Sequence, residues 1–277
     1  MRLLSPVVNL IFPTKCQNCD STVSADAATV YFCKECWQGI EWFDYPCCPQ
    51  CGLPYASPDT FAANKPYSKQ SPAGHLCGNC RDRPPSFDMA ISAGRYTGAL
   101  SEAIKLFKYK KKIHLGKMLT EQALKSTLVK DTLLNFDNPE DIHTVWGCPV
   151  YRANKAISAQ TLIIPIPLHV KRLREREFNQ SAIIASVIGR RFGIPVVANA
   201  LIRHRHTRPQ VELDGKDRKE NVVGAFSVED RKIIEGKEII LVDDVYTSGS
   251  TVNECARTLK KNGAEKIHVV TIARMVG

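Results

Sequence analysis

Ile239-Ile240-Leu241-Val242-Asp243-Asp244-Val245-Tyr246-Thr247-Ser248-Gly249-Ser250-Thr251 carries the strongest chemical signal in this 277-residue chain. An apolar run ending in two acids reads as a strand buried on both faces, the habit of strands in a parallel sheet. A hydroxyl-rich glycine turn follows it and leads into STVNECARTLKKNGA, a helical pattern closed by Gly263. The hydroxyls of Thr247, Ser248, Ser250 and Thr251, with the free N–H groups of the helix start, make a preformed cradle for a phosphomonoester, and Gly249 lets the backbone come close. Two adjacent carboxylates would repel that phosphate. They are better explained as acceptors for the paired hydroxyls of a sugar beside it, or as partners of a magnesium complex.

Outward from this stretch the pattern is regular. TLIIPIP (161–167), PVVANALIR (195–203), GAFSV (224–228) and KIHVVTIARMV (266–276) read as strands, and SAIIASVIGRRFG (181–193) as a helix. MAISAG (89–94) is strand-like. Helical patterns begin at about Thr97, with Leu100, Ile104 and Phe107 on one face, and run again from about Leu115 to Leu134. Strands alternating with helices imply an α/β fold with a parallel sheet covered on both faces, which binds ligands at the carboxyl ends of its strands. Residues 135–160 show no sustained period and are expected to be mostly irregular.

The first 85 residues are different. They are short on periodic apolar runs, and four Cys-x-x-Cys pairs stand among the chain's eleven cysteines: Cys16/Cys19, Cys33/Cys36, Cys48/Cys51 and Cys77/Cys80. Clustering of this kind points to metal rather than to a disulfide framework, and four thiolates converging from two tight turns form a closed, structural zinc cage. Sequential pairing of the Cys pairs is simplest and a cross-braced one is also open; Cys47 is an alternative to Cys48. Cys148 and Cys255 stand alone and read as packing residues. RDRPPSFD (81–88) reads as a linker, giving a zinc-binding module over 1–85 and an α/β domain over 86–277.

The formal net charge is +10. A zinc ion with four thiolates carries about −2, so two filled cages would lower the total to about +6, still favouring phosphate-rich ligands. The opening MRLLSPVVNLIFP lacks a small-residue cleavage site, and no apolar stretch reaches the roughly 20 residues needed to span a bilayer, so a cytoplasmic protein without membrane contact is expected. IKLFKYKKKIHLGK (104–117) admits two readings: aromatic rings among lysines that stack bases and contact phosphates, or a helix end with packing rings and snorkelling lysines. His204 and His206, in an arginine-rich polar segment, read as solvent-exposed.

In this order the Cys pairs, Phe107-Lys108-Tyr109, Ile166-Pro167-Leu168-His169, Phe178-Asn179-Gln180, Arg208-Pro209-Gln210 and Asn221-Val222-Val223-Gly224-Ala225-Phe226 resemble the ComF (GntX-like) family of competence-associated proteins over nearly the whole chain. The 239–251 run itself resembles the 5-phosphoribosyl-1-diphosphate (PRPP) motif of type I phosphoribosyltransferases. The resemblance implies that fold behind an N-terminal double zinc ribbon. It implies Asp243 and Asp244 on the ribose hydroxyls, Thr247, Ser248, Gly249, Ser250 and Thr251 on the 5-phosphate, and Ile166, Pro167, Leu168, Arg172, Arg174 and Arg176 on the diphosphate. Arg208 and Gln210 fall in a polar segment expected to act as a mobile hood. Structural Zn2+ and Mg2+ carried with PRPP are the implied cofactors. Phosphoribosyl transfer to an unnamed acceptor is the implied activity, with single-stranded DNA handling and competence-machinery partners as the alternative. Glu177 departs from the glycine or basic residue expected there and sets a carboxylate near an anion site.

Overall fold

A computed structural model describes residues 14–43, 47–55, 75–126, 129–130, 133, 142–145, 148–151, 160–205 and 222–276. Its centre is a four-stranded, all-parallel sheet of β1 (Met89–Arg95), β4 (Thr161–Pro165), β7 (Glu238–Tyr246) and β8 (Lys266–Arg274), in the order β1-β8-β7-β4. The register runs from Glu238 opposite Lys266 to Tyr246 opposite Arg274, so β7 and β8 end together. Ile163 also bridges in parallel to Val196, which lengthens the sheet beyond β4.

Two apolar layers cover this sheet, as the unbroken burial of its strands requires. On one face lie α3 (Gly98–Tyr109), α4 (Ile113–Ala123) and α6 (Gln180–Phe192), packed around Leu100, Ile104, Phe107, Leu115, Ile184 and Ile188. On the other lie α8 (Ser250–Lys261), the short α7 (Arg231–Ile234) and an antiparallel pair of β5 (Leu201–Arg203) with β6 (Phe226–Val228). The remaining short helices are α1 (Lys34–Gln38) and α2 (Gly78–Asp82) in the cysteine-rich region, and α5 (Val170–Arg176) after β4.

The structure corrects one expectation and adds detail to another. The segment 195–203 is not one strand: Val196 joins the edge of the main sheet, while Leu201–Arg203 leaves it to pair with β6. Its two ends are apolar enough for strands, but the break at 198–200 separates them. Within 135–160, expected to be mostly irregular, β2 (Ile142–Val145) pairs antiparallel with β3 (Cys148–Tyr151). Strands of four residues are too short to establish a period in sequence. Arg208, Gln210 and the rest of 206–221, the expected hood, lie outside the described residues.

The cysteine-rich region is built against the sheet. Trp42 bridges antiparallel to Gly94, with the Phe43 N–H donating to Ala93 O at 2.7 Å and the Arg95 N–H to Glu41 O at 3.0 Å. The Ala90 N–H donates to Gln50 O at 2.8 Å. The outer edge of β1 is thereby paired instead of left as a template for other chains. A Cβ on Gly94 would meet Glu41 O at 2.7 Å, so only glycine allows this approach.

Candidate functional site

Asp243 and Asp244 sit near the carboxyl end of β7, where elements from distant parts of the chain converge. From α6, the Ser181 hydroxyl donates to Asp243 Oδ1 at 2.9 Å; Ser181 follows Asn179, whose side chain caps the helix by accepting from the Ser181 N–H at 3.1 Å. From α3, Lys108 Nζ lies 2.8 Å from Asp244 Oδ1, both side chains largely shielded. The Ile166 N–H donates to Val242 O at 2.9 Å, and the Asn179 side-chain amide donates to Ile166 O at 3.0 Å. The start of the 166–169 loop is thus fixed beside the acid pair.

These contacts set the electrostatics. Burial, and then the negative charge of Asp244, push the Asp243 carboxyl up to about 6 against the opposing pull of Lys108, the Asp244 N–H and Ser181. For Lys108, burial works against the charge, but Asp244, hydrogen-bonded to it, outweighs burial and holds its pKa above the ordinary lysine value. Two carboxylates and one ammonium leave the site anionic, able to accept hydrogen bonds from a polyol.

Immediately beyond, Gly249 takes a left-handed backbone, φ +74°, as the N-cap of α8, and no side chain caps that helix. Thr247, Ser248 and Ser250 stand around the turn, with the Ser248 and Ser250 hydroxyls 2.9 Å apart. The arrangement presents hydroxyls and first-turn N–H groups at the positive end of a twelve-residue helix, a ready anion cradle. A cavity of about 940 Å3 opens against this turn, between it and the second cysteine cluster; Thr247, Ser248, Gly249 and Ser250 line it together with Arg83 and Asn253.

The 166–176 region is less uniformly placed. Ile166 and Pro167 are buried, Leu168 is half-buried, and α5 carries Arg174 exposed. Arg176 lies over the Tyr109 ring at 5.1 Å and donates to Gln180 Oε1 at 3.2 Å. Arg172 is close enough to the half-buried Arg203 for their charges to repel. Glu177 forms an ion pair with Lys111, which supplies the counter-charge that its sequence position lacked.

Lys108 is the residue that sequence reasoning missed. Neither reading of the 104–117 run placed it in the acid pair. Phe107 does pack, stacked on Phe178 with centroids 5.5 Å apart, and Tyr109 is exposed, but Lys108 turns inward. The signal was there: Leu100, Ile104 and Lys108 are spaced i, i+4, i+8, so this lysine lies on the buried stripe of α3, where a charge requires a partner.

The eight cysteines form two groups, Cys16, Cys19, Cys33 and Cys36, and Cys48, Cys51, Cys77 and Cys80, each with all Sγ atoms within 4.8 Å of one another. The pairing is sequential, and Cys48 rather than Cys47 takes part. Sγ separations of 3.7 Å for Cys19–Cys33 and for Cys51–Cys77 match the edge of about 3.8 Å expected of a tetrahedron with arms of about 2.3 Å. Four sulfurs with no open position fit zinc in a structural role, holding two turns together in each ribbon.

Comparison with known proteins agrees with both halves. Residues 7–81 match the double zinc ribbon domain, and residues 179–275 the phosphoribosyl transferase domain. Competence protein F of Haemophilus influenzae is 30% identical over 243 residues, 87% of this chain and 90% of that protein. The DNA utilization protein YhgH of Salmonella typhimurium is 28% identical over 82% of this chain and 83% of its own length. Competence protein ComFC of Bacillus subtilis is 32% identical over 116 residues, 41% of this chain and 44% of that one. Among the described residues, no helix is long and apolar enough to cross a membrane.

Proposed function

The chain belongs to the ComF family of competence-associated proteins, and from that premise we propose that its sheet end binds Mg-PRPP and transfers the phosphoribosyl group to an acceptor. The observation that carries this reading is the juxtaposition of Asp243, Asp244, Lys108 and Ser181 with the uncapped turn 247–251. The two carboxylates accept the ribose hydroxyls. The turn holds the 5-phosphate, and residues 166–176 take the diphosphate, for which the planar forks of Arg172 and Arg174 suit the oxygens. Mg2+ bound to the substrate would supply positive charge against the diphosphate oxygens.

In such a transfer the C1–O bond to diphosphate breaks, its electron pair leaves with the diphosphate, and the acceptor's lone pair forms the new bond at C1. Positive charge develops on the ribose, and a fixed anionic pair beneath it stabilises that charge without a protein nucleophile. Lys108 keeps Asp244 oriented and favours the ionised form of Asp243. The test is calorimetric titration of Mg-PRPP into the wild type and into an Asp243→Asn, Asp244→Asn double variant. Binding in the first and none in the second is expected; no binding to a well-folded, zinc-loaded wild type would refute the reading.

A second reading, handling of single-stranded DNA in the cytoplasm alongside other competence proteins, draws on one feature of the surface. Tyr109 is 61% exposed with Arg176 over its ring, and the exposed Lys110 and Lys111 and the half-buried Lys112 follow it in the chain at the end of α3, close to Lys108 of the acid pair. An aromatic ring among cations stacks bases and neutralises phosphates. The names of the YhgH and ComFC relatives point the same way. Single-strand affinity that falls steeply with salt, with a slope reduced in a Lys110→Ala, Lys112→Ala variant, is the expected result; no binding even at low salt would remove this reading.

A further inference from the structure

Arg274 ends β8 as a buried cation, 6% exposed, and among the described residues no carboxylate lies within ion-pairing distance of it. A guanidinium withdrawn from water without a counter-charge is costly. What surrounds it is the second cysteine cluster: its Nη1 donates to Cys51 O at 2.6 Å and its Nη2 to Cys51 Sγ at 3.7 Å. A metal-filled four-thiolate cage carries about −2, and that is the counter-charge this guanidinium lacks.

On its other side Arg274 lies 4.1 Å from the centroid of the Tyr246 ring. Tyr246 is the last residue of β7, directly paired with Arg274, and its carbonyl accepts from the Met275 N–H at 2.9 Å. The tyrosine hydroxyl stands against Gly249, where any Cβ would overlap it. Contact therefore runs without a gap from the cage through the guanidinium and the phenol to the turn that opens α8. The other cage packs elsewhere: Cys16 and Cys33 lie with Trp37 and Ile91 in the apolar layer on the opposite side of the sheet.

We propose that Arg274 and Tyr246 are positioning residues of the 247–251 turn, and that metal in the second cage is what holds them in place. Metal at Cys48, Cys51, Cys77 and Cys80 and a ribose phosphate on the turn then stabilise one another. The proposal rests on the phosphate reading given above. Its physical basis is geometric: metal fixes the Cys51 turn, Arg274 is anchored to the carbonyl and the sulfur of Cys51, and the Tyr246 ring that rests on Arg274 backs Gly249. Coupling of this kind is reciprocal, so the ligand must strengthen metal retention by the same factor as metal strengthens ligand binding.

The test uses the full chain in its two-zinc form, with ribose 5-phosphate as the probe because it lacks the diphosphate. Binding is measured by calorimetry, and zinc release to a colorimetric chelator is followed with and without the probe. In the wild type, saturating ribose 5-phosphate is expected to slow release of one zinc several-fold and leave the other unchanged. Arg274→Met is expected to release that same zinc faster, to bind ribose 5-phosphate about tenfold more weakly, and to lose the protection, while Arg274→Lys keeps most of it. A wild type that binds the probe but protects neither zinc, or both equally, overturns the coupling, and that arm needs no variant to fold. Full protection in Arg274→Met would overturn the role of the arginine. A wild type that does not bind ribose 5-phosphate at all fails the phosphate reading itself, which the calorimetry shows before any zinc is measured.

Discussion

Replacing Lys108 with methionine leaves two neighbouring carboxylates without their cation. Removing one member of a buried pair typically costs about 3 kcal/mol, and protonation of the acids limits the loss here. Lys108→Met is therefore expected to lower the unfolding midpoint at pH 7.5, with the deficit shrinking toward pH 5.5 as Asp243 takes up a proton. Thermal melts at the two pH values check this, and an equal deficit at both would rule out the electrostatic account. The wild type carries a related signature. The Asp243 carboxyl is held up to about 6, chiefly by burial and then by Asp244, so its charged form is penalised in the fold above that pH and relieved below it. On the proposed reading the ribose hydroxyls need the ionised form. Affinity for Mg-PRPP should thus fall as pH drops through about 6, and Ser181→Ala, which removes a hydrogen bond that favours the carboxylate, should move the inflection upward.

At the scale of the element, the turn between β7 and α8 depends on Gly249 for two separate reasons, a left-handed φ and the closeness of the Tyr246 hydroxyl. Gly249→Ala meets both. The strained backbone alone costs about 1 kcal/mol or more, and displacement of the turn should weaken Mg-PRPP binding at least tenfold while the melting midpoint shifts by only a few degrees. Calorimetry and a thermal melt on the same preparation separate the two effects. The elements themselves were legible where a run was long: β7, β8, α3, α6 and α8 follow from apolar period and capping residues. β2 and β3 were not, because four-residue strands carry no period, and the split of 195–203 between two sheets depends on which neighbour each half meets.

For the molecule as a whole, the ribbon residues Glu41, Phe43 and Gln50 pair with the edge of β1, and both cysteine groups pack into the layers that cover the sheet. Stripping zinc with a strong chelator is accordingly expected to lower the stability of the entire chain in one cooperative transition, because binding energy at a structural zinc site is folding energy. Elemental analysis of the untreated protein should give about two zinc ions per chain, as two four-thiolate cages require. A calorimetric scan after chelation that shows the sheet melting at its original temperature would contradict this integration.

What the sequence by itself determined is everything carried by local spacing: the four Cys-x-x-Cys pairs, the buried strand that ends in Asp243 and Asp244, and the hydroxyl-rich turn before α8. These are written within a few residues, and their chemistry follows from the side chains and the backbone that joins them. Tertiary structure alone decided which cysteine pairs share a cage, which cation answers the acid pair, and what stands behind the 247–251 turn. Lys108 and Asp244 are far apart in the chain, as are Cys51 and Arg274, and nothing in either's own neighbourhood names the other. Such pairings arise because a folded interior must satisfy each buried charge with whatever the topology brings beside it, and topology is a property of the whole chain.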